Sequence, residues 1–234
     1  MNTNQESVSI PLPQLGLIAV FVTALVTSQV TASKVIGIEL PVSLPFVESM
    51  ILVPAAAFAY AVTFFASDCY AELYGREDAT RLVNVAFAMN FVLLGLVWLA
   101  IEAPIFANSP VGQSAFSDVL GSSTGIVVGS MLAYLVSQNL DVVTFHWLRD
   151  RTDGRLLWVR NLGSTLTSQA IDTVIFITVA FIVFQGMPLG DALGLIVGQY
   201  LIKLGVALFD TPFVYAVVGF VRRRGRSPSP AVGD

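Results

Sequence analysis

A few residues able to bind a polar ligand sit inside stretches that are otherwise apolar: Gln138 and Asp141, Gln169 and Asp172, and Lys203. A carboxylate accepts hydrogen bonds, an amide both donates and accepts, and an ammonium donates while balancing a carboxylate. That set suits non-covalent recognition better than bond cleavage. Gln138 and Asp141 are three apart, as are Gln169 and Asp172, so each pair falls on one face of a helix. Tyr134 and Phe145 lie near the first stripe, and Thr165 and Ser168 extend the second. Both stretches read Ser-Gln-x-x-Asp, over residues 137–141 and 168–172. A match this short does not by itself imply an inverted repeat. The polar stripes read either as a ligand site or as hydrogen-bonded glue between helices.

Lys203 and Asp210 are seven apart and share a helical face. Lys203 lies too deep to snorkel and calls for a carboxylate partner. Lys34 is expected at the outer end of the first span, within reach of the interface. Asp68 is expected at the inner end of the second, near Arg76 and Arg81. His146 is the only histidine and, with Trp98, Trp147 and Trp158, fits an interfacial belt.

These residues must be positioned by membrane helices. Of 234 residues, 55% are hydrophobic and only 12% charged, and the mean hydropathy is +0.77. That leaves too little polar surface for a water-soluble globule, and a spanning helix needs about 20 apolar residues. The spans are expected at 15–36, 45–66, 82–103, 126–147, 162–184 and 193–221. The expected fold is an all-α integral membrane protein, residues 1–221 forming a single six-helix domain. Pro54 and Pro212 fall inside spans and are expected to kink them. Residues 105–125 read as an external or partly embedded loop, and 222–234 as a basic, then Ser/Pro-rich, disordered tail.

The arginines fix the orientation. Arg76 and Arg81 follow span two, Arg149, Arg151, Arg155 and Arg160 lie between spans four and five, and Arg222, Arg223, Arg224 and Arg226 follow span six. With six spans, all three groups share one side, which the positive-inside rule makes the cytoplasm, along with both termini. Counted from that side, Asp141, Gln169 and Asp172 are expected at similar depth in the inner half of the membrane.

Several chemistries are excluded. Cys69 is the only cysteine, so no internal disulfide and no cysteine-ligated metal site can form. No G-x-S-x-G, H-E-x-x-H or Walker A motif is present. No cofactor and no nucleic acid is called for, and an intramembrane enzyme is disfavoured. The expected partners are a small-molecule substrate and membrane lipid, with homo-oligomerisation left open. A small-solute carrier fits best.

One segment resembles a known family. Residues 67–76, Ser-Asp-Cys-Tyr-Ala-Glu-Leu-Tyr-Gly-Arg, followed by Ala79 and Arg81, are similar to a signature of the queuosine precursor transporters, also called the vitamin uptake transporter family. Three further stretches agree in order: Ala133 through Asp141 to Phe145 and Leu148, Ser164-Thr165-Leu166 through Asp172 to Phe176, and Lys203 through Pro212 to Tyr215. Ala32-Ser33-Lys34 resembles the family only loosely. The resemblance implies import of a 7-deazaguanine such as 7-cyano-7-deazaguanine for tRNA modification. It also implies a bundle similar to the substrate-binding components of energy-coupling-factor transporters. A binding subunit of such a transporter, or a carrier of another flat heterocycle, is the alternative. With such a ligand, Gln138, Asp141, Gln169 and Asp172 would read its edge, as these side chains read bases. Tyr134, Phe145 or Phe176 would stack on its face. Lys203 would balance the carboxylates, and Asp68 and Lys34 are further candidates.

Overall fold

The computed structural model describes residues 10–39, 50–152 and 157–224. The expected tail beyond Arg224, Arg155 and the first part of the expected second span lie outside the described residues. The described chain is mostly helical. In order it comprises α1 (Leu12–Thr31), β1 (Val35–Glu39), β2 (Met50–Pro54), α2 (Ala57–Tyr74), α3 (Arg76–Glu102), α4 (Gln113–Gly121), α5 (Ser123–Arg151), α6 (Leu157–Ile177, continuing as π-helix over Thr178–Val183) and α7 (Leu189–Arg224).

Among the described residues, five helical stretches are long and apolar enough to cross a membrane: α1, α3, α4 with α5, α6 with its π-helical end, and α7. Some of their hydroxyl side chains close on their own backbone. Thr27 and Thr31 each donate to the carbonyl four residues back, so neither of these hydroxyls is left unpaired in lipid. Phe58, Leu99, Phe209 and Phe213 are exposed, as suits a surface whose solvent is hydrocarbon.

The second span departs from expectation. The apolar run that reads as one helix begins instead with strand β2, and Pro54 ends that strand rather than kinking a helix. Span one likewise stops at Thr31, and residues 35–39 form β1. The two strands pair antiparallel, Val35 opposite Pro54 and Glu39 opposite Met50. The β-branched Val35, Ile36 and Ile38 favour extended backbone over helix. Irregular backbone is tolerated at membrane depth only when protein covers it. Here Val53 and Ile51 are buried, and Gly198 of α7 lies directly against the Leu52 carbonyl, where a Cβ would collide.

Contacts along the bundle show which ends lie together. Gln14 near the start of α1 donates to the Tyr70 hydroxyl near the end of α2 at 2.8 Å. Arg222 near the end of α7 donates to the Glu72 backbone carbonyl at 2.9 Å. Gly75, with φ +95°, turns α2 sharply into α3, and Glu77 and Asp78 then favour the α3 N-terminus. Trp98 bonds Thr124, while Tyr134 bonds Asn84, so α3 and α5 run antiparallel. Arg76, Arg81, Arg151 and Arg222 therefore gather at one end, and the hairpin with α4 lies at the other. The loop expected over residues 105–125 contains α4, tied back by Gln113 to the Ile101 carbonyl.

The α5–α6 pair is the most extensive helix contact. It runs in one antiparallel register: Gly125 faces Phe184, Gly129 faces Ala180, and Gly163 approaches Leu148. Small residues let the backbones close, as membrane helices require without a hydrophobic driving force.

Because a side chain at position 198 would meet the hairpin backbone, Gly198→Val is expected to cost about 1–3 kcal/mol or more. The expected readout is a lower unfolding temperature in detergent, with Gly205→Ala, which meets open space, as the neutral control.

Candidate functional site

The two Ser-Gln-x-x-Asp motifs meet across the α5–α6 interface. Ser137 donates to Asp172 at 3.3 Å, and Ser168 donates to Asp141 at 3.2 Å. Each serine of one motif thus bonds the aspartate of the other, about a local two-fold relation between antiparallel helices. The same register moves the two aspartates apart. Asp172 stands one turn, about 6 Å, farther from the arginine end than Asp141, so they do not converge on one ligand edge.

Asp172 also accepts from Lys203 of α7 at 2.5 Å, the two side chains being 15% and 8% exposed. An ionised group near a helix centre costs at least about 2.5–3.5 kcal/mol in a membrane, and the pair neutralises both charges. Lys203 thus has the carboxylate partner its depth demands.

Beside this pair is a narrow cavity of about 30 Å³, room for a water or two in this conformation. Every long helix except α3 contributes to it. Gln29 comes from α1, Tyr60 from α2, Ser130 from α5, Asp172 and Phe176 from α6, and Gln199 and Lys203 from α7. Ala32, Pro54 and Ala56 close the hairpin side. The chemistry is that of a reading site: one carboxylate, two amides, hydroxyls and two aromatic rings, in an apolar frame. A wider pocket lies toward the arginine end, with Asp68, Gln169 and Asp210 in its wall. Lys203 borders both.

The expected site residues thus divide. Asp172, Lys203 and Phe176 come together at the cavity. Gln169 and Asp68 border the wider pocket instead, and Asp68 lies inside α2, six residues before its end, because that helix runs on to Tyr74. Asp141 is held by Ser168 outside both. Gln138 is exposed. Tyr134 stacks on Phe87 with ring centroids 4.5 Å apart and donates to Asn84. Phe145 meets His146 edge to face. Lys34 is exposed in the turn before β1, where its carbonyl accepts from Ala55. Sequence reasoning missed Gln29, Tyr60 and Gln199. A glutamine in an apolar helix is itself a signal, since lipid cannot satisfy its amide.

Residues 54–217 match the family described as "Putative vitamin uptake transporter". The chain belongs to this family, and it is a multi-pass membrane transporter of a small molecule, not an enzyme. A "Probable queuosine precursor transporter" of Bacillus subtilis (strain 168) is 36% identical over 173 residues, covering 72% of each chain. No solved structure matches.

Removing one member of a buried pair strands the other charge, at a cost of about 3–5 kcal/mol. Lys203→Met is therefore expected to lower the unfolding temperature sharply. Lys203→Met with Asp172→Leu should regain most of the loss, read by thermal unfolding in detergent.

Proposed function

We propose that this chain imports a queuosine precursor of the 7-deazaguanine class, such as 7-cyano-7-deazaguanine, for salvage into tRNA. The observation that carries the reading is a carboxylate, Asp172, at a narrow cavity lined by aromatic rings, which must widen to admit a flat ring. A 2-aminopyrimidinone edge presents adjacent N–H donors, which a carboxylate can accept together. Phe176 and Tyr60 offer faces for the flat ring. The printed name of the Bacillus subtilis relative supports the same substrate class.

In this reading the empty carrier keeps Asp172 neutralised by Lys203. The entering precursor offers its N–H groups to the same carboxylate, and the ammonium stays close enough to balance the charge. The arginine end faces the cytoplasm, with both termini there, by the positive-inside rule. Six passes, arranged similarly to the substrate-binding components of energy-coupling-factor transporters, belong to this proposal.

Asp172→Asn keeps the shape of the side chain and removes its charge. Precursor uptake in a salvage-dependent host is expected to fall at least about tenfold, the scale of one charge-assisted hydrogen bond. Unchanged uptake at normal expression would sink the assignment.

A further inference from the structure

Gln29 and Gln199 belong to none of the motifs that single out the other polar residues, yet both line the cavity. Gln29 is 2% exposed and Gln199 is 8% exposed. The Oε1 atom of each is buried, with no hydrogen-bond donor among the described residues. Buried acceptors are rarely left without a partner, because each then carries its full desolvation cost. Two of them, on helices from opposite ends of the chain, border the same space.

We propose that Gln29 and Gln199 are specificity-determining residues that accept N–H groups from a planar heterocycle lying against Asp172. The inference rests on the reading of the cavity as the precursor site and names the groups that select within it. The chemical class is a lactam with a ring N–H and an adjacent exocyclic amino group. Such an edge has more donors than one carboxylate can satisfy. Glutamine suits the task better than glutamate here. Asp172 is already balanced by Lys203, and a further carboxylate would need its own counter-charge in hydrocarbon. An amide adds an acceptor with no net charge. It also supplies N–H donors for the lactam carbonyl, so it can meet a donor and an acceptor side by side. A site built around such bonds rejects an analogue lacking the bonded group far more strongly than an apolar pocket does.

The experiment uses the full chain purified in detergent. Two probes are titrated calorimetrically, 7-cyano-7-deazaguanine and the same compound without its 2-amino group. The wild type is expected to prefer the first by about tenfold or more. Gln29→Met and Gln199→Met remove the acceptors while keeping the length of the side chains. Each is expected to weaken the first probe by about tenfold, and at least one should collapse the preference between probes. A merely structural role would weaken both probes equally. Should the methionine variants aggregate, Gln29→Glu and Gln199→Glu keep an acceptor oxygen and are expected to retain the preference. Methionine variants with wild-type affinity and preference overturn the inference and leave the transport reading standing, as do glutamate variants that lose the preference while binding both probes. A wild type that binds neither probe overturns that reading and the inference with it.

Discussion

A charge inside hydrocarbon must be neutralised where it stands. In this chain that constraint ties α6 to α7 through Asp172 and Lys203. The remaining partners of Asp172 follow from it. Ser137 reaches across from α5, so three helices are bound at one carboxylate. The cavity opens beside this junction because a paired aspartate can sit there at tolerable cost. The pair is also labile in a useful sense: any neutral ligand with strong N–H donors can share the carboxylate, provided the ammonium stays within reach.

The most legible parts of the structure in the sequence were those with a high energetic cost. Asp172 and Lys203 stood out because an ionised side chain in an apolar helix demands a partner. The arginines, spaced between apolar runs, indicated which helix ends share a side, and Arg222 does meet Glu72 at the end of α2. What was not legible depended on register or on local backbone choice. Residues 50–59 are apolar throughout, and hydropathy alone does not separate a buried strand from a helix. The hairpin was therefore hidden, and with it the late start of α2. Gln138 and Gln169 share the spacing of their aspartates, but three-residue spacing does not say which side of the stripe faces the partner helix.

The repeated Ser-Gln-x-x-Asp motif shows the same limit from the other side. As text it is too short to carry meaning. In the fold its serines and aspartates exchange hydrogen bonds between antiparallel helices, and glycines keep the same register along the pair. An antiparallel pair with identical motifs brings unlike positions face to face. The donor of one motif therefore meets the acceptor of the other, and both are satisfied without help from lipid. The glutamines of the cavity carry no such repetition, and only their burial without partners sets them apart.

The hairpin has a mechanical consequence. Its junctions at Ala32, Pro54 and Ala56 wall the cavity on the side away from the arginines. Its backbone touches α7 at Gly198 with no side chain between them. Two backbones in direct contact have no soft layer along which to slide. The hairpin and the helix that carries Lys203 are therefore packed against one another as a single unit at this level of the bundle.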